Sequence, residues 1–203
     1  MEWKSKIKNK CCADELEEMI INYIKAGFLS NDAILKECEY YIKDFYHNEC
    51  DNITKDDLIE IIEAFCKEFQ NTGNQENFLK LDFAFHSLMK YGIVALHYAG
   101  YTQSDGFTDC NEVANWLEEK GENIVGCCFY TQQDLERILR EDNTALLYIS
   151  FGNYFDKPTV EEIGQIIVNE LNAIGFCIQW DGTAETKIAI KNFEWDKYYT
   201  DKE

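Results

Sequence analysis

Residues 126–136 read GCCFYTQQDLE, and how this stretch is read decides the kind of fold the chain has. Gly126 to Tyr130 is a run of cysteines and aromatics without a charge, which suits a strand covered on both faces. Thr131 then opens a helix: with Asp134 three residues on it forms a capping box, in which each side chain satisfies the other's backbone N–H. Leu135, Ile138 and Leu139 follow at helical spacing and dock that helix. The rival reading is a redox or metal site beside a catalytic carboxylate. Adjacent cysteines on a strand point to opposite faces, however, and Cys127 and Cys128 lack the two-residue gap that lets both thiolates reach one zinc ion. A strand running into a capped helix is the reading we adopt, and it leaves Gln133 without a structural duty.

The same alternation continues on both sides. Residues 92–99, GIVALHYA, are rich in β-formers and predict a strand, followed by a polar loop, GYTQSDGF. Asp109 with Glu112 predicts a capping box for a helix carrying Val113, Trp116 and Leu117 and ending at Gly121. A second strand spans 124–130, a short helix 132–141 and a third strand 145–151. Pro158 precedes a further capping box, Thr159 with Glu162, on a helix lined by Val160, Ile163, Ile166, Ile167, Leu171 and Ile174 up to Gly175. Residues 176–180 and 186–191 make two strands around the hairpin turn WDGTAE.

Upstream the period is helical throughout. Leu16, Met19, Ile20, Tyr23 and Ile24 line a helix over 13–27; Ile34, Leu35, Cys38, Tyr41, Ile42 and Phe45 line one that starts at Ser30 or Asn31. Thr54 and Asp57 cap a third, striped by Leu58, Ile61, Ile62, Phe65, Cys66 and Phe69, and a fourth near 76–91 buries Leu81, Ala84, Phe85 and Leu88. The expected fold is α+β: amino-terminal helices followed by a mixed sheet of about five strands flanked by helices. A single domain over 1–203 is expected, with a helical part over 1–90 and a sheet-containing part over 91–203.

Composition narrows the function classes. The 203 residues carry 38 acidic and 19 basic side chains, a formal charge of −19, with 46% hydrophobic and 14% aromatic residues. That apolar content specifies a folded chain, and the charge repels phosphates, so neither nucleic acid nor membrane is an expected partner. The first ten residues, MEWKSKIKNK, are the one basic stretch; Trp3 and Ile7 share a helical face, but the segment is too short and polar for an anchor and reads as a frayed terminus. No apolar run of signal-peptide length follows it, and the nine cysteines, an odd number without metal spacing, read as reduced, buried thiols; a cytoplasmic chain is expected.

Candidate chemistry is sparse. Asp82 and His86 stand four apart on a helix but fall off its apolar face, which reads as a solvated pair. His97, Ser104, Asp105 and Asp109 lie within one short segment, yet no glycine-flanked nucleophile elbow surrounds Ser104. No phosphate-binding glycine loop occurs in the chain, and the acids around Asp105 lack the density of a calcium loop. No metal and no cofactor are expected.

Phe129-Tyr-Thr-Gln-Gln-Asp134, then Leu147-Tyr-Ile-Ser-Phe-Gly152, then Trp180-Asp-Gly-Thr183, together with the helix leading into Gly92-Ile-Val-Ala95, resemble the bacterial family described as domain of unknown function 6891. The resemblance covers roughly residues 75–195 and implies a shape rather than a reaction. Members of that family often carry clustered cysteines after the first strand, whereas this chain has none there until Cys110.

Two functions compete. The first is a non-catalytic binding protein of the inhibitor or immunity type, with an acidic surface that meets a basic protein. The second is a small hydrolase whose polar site gathers His97, Asp105, Gln133, Asp134 and Asp181 at the strand ends, where loops build sites.

Overall fold

The computed structural model describes residues 2–140 and 146–200. Seven α-helices and five strands lie among these residues, an α+β arrangement with a mixed sheet. The chain divides into two compact units, one made of the residues up to Gln75 and those from Asp196 onward, the other of Glu76–Trp195. The fourth helix thus belongs with the sheet, although its period continues that of the three before it.

The first unit packs α1 (Lys10–Ala26), α2 (Asn31–Phe45) and α3 (Lys55–Phe69) around Leu16, Ile20, Ile34, Cys38, Ile62 and Phe65. Each start is capped: Asn9 accepts from the Cys11 N–H, Ser30 from the Ala33 N–H, and Thr54 and Asp57 cap each other. Residues 3–10 do not fray. Trp3 and Ile7 are buried in this core, because the buried Glu49 carboxylate takes the N–H groups of Lys8 at 3.0 Å and Asn9 at 3.1 Å and holds the segment down. Phe45, expected on the apolar stripe of α2, is exposed and lies against Tyr41. After α1, Gly27 adopts φ 70°, and the returning backbone at Tyr198 passes where its Cβ would stand, so only glycine fits.

The second unit holds α4 (Glu76–Leu88), β1 (Ile93–Leu96), α5 (Gln103–Glu118), β2 (Gly126–Phe129), α6 (Gln132–Leu139), β3 (Leu146–Asn153), α7 (Val160–Ala173), β4 (Cys177–Gln179) and β5 (Ile188–Lys191). The expected helix end at Glu141 and strand start at Ala145 lie outside the described residues. Strand order is β1-β2-β3-β5-β4; β1 and β2 run parallel and every other pair antiparallel.

One expected loop is a helix. From Gln103 on, GYTQSDGF is helical: Thr102 and Asp105 form the capping box, seven residues ahead of the acid expected at the helix start, and α5 runs on through Gly106. Gly106 is needed there because a Cβ would stand 2.2 Å from the ring of Phe129. Trp116, counted with the buried face of this helix, is exposed, with the Lys120 ammonium over its ring.

Alternation along the strands sorts the two faces of the sheet. Val94, Leu96, Cys127 and Phe129 turn to Cys110 and Ala114 of α5. Gly126 and Phe151 face the other way, toward Ile163 and Gly164 of α7, and Leu147, Ile149, Ile188 and Ile190 share that face by register. Cys127 and Cys128 are thus buried on opposite sides of one strand, as their adjacency requires.

Candidate functional site

The site grows from the start of α6. Thr131 Oγ1 accepts from the Asp134 N–H at 3.1 Å, and Asp134 Oδ2 accepts from the Thr131 hydroxyl at 2.9 Å. An ordinary cap sits in solvent. This one is 1% exposed, and a carboxylate so far from water costs several kcal/mol unless it is paired. The partner is Lys187, just ahead of β5, whose Nζ lies 3.0 Å from Oδ1 and 2.9 Å from Oδ2. Arg137, one turn along α6, adds a third cationic contact at 3.4 Å and is 61% exposed.

Both cations face an open cleft of about 530 Å³. Its floor is one row across the sheet: Tyr148 of β3 pairs in register with Ala189 of β5, and Ala189 with Gln179 of β4. Leu146 extends the apolar part, and the β4–β5 turn supplies Asp181 and Thr186 at the rim. That volume lies in the range of small-molecule sites. The turn is held from within: Asp181 Oδ1 accepts from Thr186 Oγ1 at 2.6 Å, from Thr183 N at 3.0 Å and from Thr183 Oγ1 at 2.9 Å. The Thr186 hydroxyl, and then the two Thr183 donors, hold the Asp181 carboxyl below the usual carboxylate range.

A second polar group lies where the parallel strands end. His97 follows β1 and Tyr130 follows β2; His97 Nδ1 is 3.0 Å from Tyr130 Oη and its Nε2 is 3.2 Å from Asp82 Oδ1 on α4. An ionised carboxylate only accepts, so Nε2 carries the proton and Nδ1 accepts from the tyrosine hydroxyl. Phe85 stacks on the imidazole with centroids 4.6 Å apart. Burial, followed by the charges of Tyr98 and Asp82, pushes the Tyr130 phenol well above its ordinary pKa, so it stays a neutral donor. Asp82 does pair with the exposed His86, Oδ1 to Nδ1 at 3.4 Å, as the spacing in the sequence suggests, but it has a second duty. It holds His97, while His86 Nδ1 rests 2.8 Å from the Asp82 carbonyl oxygen. A cavity of about 170 Å³, walled mainly by apolar side chains of α4, β1 and α5, opens beside Asp82 and His97.

Four of the five residues singled out in the sequence thus have three different settings. Asp181 and the cations bound to Asp134 share the cleft; His97 sits with Asp82 and Tyr130; Asp105 caps α5 through Thr102. Gln133 is half-buried in the first turn of α6. Sequence reading passed over Lys187, Arg137, Tyr148 and Gln179, the residues that give the cleft its character. Lys187 had one visible signal, a lone cation leading into an apolar strand. Among the described residues, no group of three or more His, Cys, Asp or Glu side chains is placed to hold a metal ion.

No curated protein and no solved structure matches the chain. A family model does, over residues 9–199, so the family pattern reaches through the helical unit and not only the sheet unit in which the motifs stand. The chain belongs to the family described as a domain of unknown function (DUF6891).

Proposed function

We propose that this is a non-catalytic binding protein of the cytoplasm, of the inhibitor or immunity type, that meets a basic protein through its acidic surface. One observation carries the non-catalytic part: the acid–base groups that a reaction would recruit are already committed. Both ring nitrogens of His97 have partners, and the hydroxyl on Nδ1 belongs to Tyr130, which is 0% exposed and so is not presented to a substrate. Asp134 is closed by Lys187, and Asp105 and Asp181 are held low by the hydrogen bonds of their cap and turn. The charge of −19 supports a basic partner, since complementary charge speeds encounter and is screened by salt. No described helix is long and apolar enough to cross a membrane. The test is co-purification from the native host at low and high salt. A basic protein retained at low salt and released at high salt supports the reading; recovery of none, or of one indifferent to salt, sinks the electrostatic version.

One arrangement favours the second reading, a small hydrolase. Asp82 orients His97 at the carboxyl ends of two parallel strands, beside a cavity, and such ends are where open sheets place their sites. A screen of ester, amide and phosphoester substrates against the wild type and His97→Gln separates the two. Turnover that is lost in the variant, with folding intact, supports the hydrolase and overturns the binding-only reading.

A further inference from the structure

We propose that the cleft over β3, β5 and β4 is a binding site for a small ligand that carries a carboxylate on an aromatic or apolar body. This goes beyond the acidic-surface reading and does not depend on it.

The argument begins with what the Asp134–Lys187 pair does not need to be. Fixing α6 to β5 is a task that two well-packed apolar residues perform as well or better, because a buried pair must overcome its own desolvation. Here the pair lies at a cleft wall, with the acid inside and the cations outward: Asp134 is 1% exposed, Lys187 27% and Arg137 61%. Asp134 takes donors from the Lys187 ammonium at both its oxygens and one N–H from Nη1 of Arg137. The remaining donors are directed by those bonds, so their orientation is set before a ligand arrives. One carboxylate against two cations leaves this wall with a net charge of +1 in a chain whose total is −19.

Asp181 stands at the rim and is ionised; its Oδ1 is taken up within the hairpin by three donors from Thr183 and Thr186, so the lining divides into a cationic wall and an acidic rim. Away from the cations and from Asp181 the lining is neutral: the Tyr148 ring, Leu146 and Ala189 offer an apolar bed, and Gln179 an amide at the far strand. An anionic head with an apolar or aromatic body fits that gradient. A carboxylate suits it better than a phosphate dianion, which would bring a second negative charge to a wall of +1.

The measurement is titration of the isotopically labelled full chain, followed by amide resonances, with a panel of N-acetylated amino acids, the matching neutral N-acetyl amides, inorganic phosphate and a hexapeptide ending in the best residue. The expected result is saturable shifts centred on Tyr148, Gln179, Ala189 and Lys187 for at least one acid, with the amide about tenfold weaker or worse. Arg137→Ala, at an exposed position that leaves Asp134 its lysine, should weaken the acid by a similar factor with the spectrum otherwise unchanged. Tyr148→Ser should weaken aromatic acids more than aliphatic ones. A hexapeptide as strong as the small acid makes the carboxylate a chain terminus, and a weaker one makes it a free small acid; both keep the site. Acid and amide binding alike, phosphate binding better than every acid, an unaffected Arg137→Ala, or no member of the panel shifting these resonances would each overturn the proposal.

Discussion

Lys187 Nζ lies within 3.0 Å of both carboxylate oxygens of Asp134, a residue 1% exposed that also caps α6. One aspartate therefore ends a helix, fastens that helix to β5 and aims two cations into a cleft. These duties fail separately. Thr131→Ala removes only the cap and should cost about 0.5–2 kcal/mol. Asp134→Ala removes the cap and leaves Lys187 unpaired, and should cost about 3–5 kcal/mol. Urea unfolding of both variants checks the ranking; equal losses would mean that the lysine finds water without penalty.

Gly106 is inside α5 because the Phe129 ring lies against it. Phe129 is fully buried and edge-on to Phe107, so it has no room to withdraw. Gly106→Ala, usually favourable in a helix, should here destabilise by about 1–3 kcal/mol. Gly73→Ala, in the loop before α4 where nothing lies within 4 Å, shows what an unobstructed methyl group does outside a helix and should be close to neutral. Thermal unfolding of the pair decides between packing and helix propensity.

Acid should weaken the helical unit through Asp57. The hydrogen bond from Lys6, followed by the Thr54 N–H and hydroxyl, lowers its carboxyl from 3.8 to about 2. A folded pKa below the unfolded one means that the unfolded chain binds the proton first. The stability this group contributes is present above pH 3.8 and is lost as pH falls toward about 2. Lys6→Ala should flatten that part of the stability-versus-pH curve; an unchanged slope between the two variants would assign the acid limb elsewhere.

The thiols should separate by burial. Cys11, Cys50 and Cys177 are exposed, whereas Cys12, Cys38, Cys110, Cys127 and Cys128 are buried. Burial pushes Cys38 up to about 12, with a smaller push from Glu37, and Cys12 up to about 11, so neither offers thiolate at neutral pH. An aromatic disulfide reagent should label the three exposed thiols first and the five buried ones only as the protein unfolds. Mass spectrometry of the partly labelled chain reads the order, and early labelling of Cys38 would contradict the core of the helical unit.

The capping boxes at Thr54, Thr131 and Thr159 were legible because a cap is a four-residue device whose partners stand three positions apart in the chain. The box at Thr102 has the same form and was passed over, since Gly100 and Gly106 give that stretch the composition of a loop. A ring more than twenty residues downstream makes Gly106 the right residue for a helix, and no local rule contains that ring. Trp3 and Ile7 look like a frayed end for a similar reason: the carboxylate that holds their segment down is Glu49.

Helix, strand and turn, the α+β class, the opposite burial of Cys127 and Cys128 and the cap at Thr131 all follow from the order of residues, because each depends on neighbours within a few positions. The pairing of β3 with β5, the grip of Asp82 on His97 across 15 positions and that of Lys187 on Asp134 across 53 do not. Charges that far apart along a chain meet only when packing has removed the water between them. The cleft, its row of Tyr148, Ala189 and Gln179, and the direction of its two cations therefore exist in the folded sheet and in no stretch of the sequence.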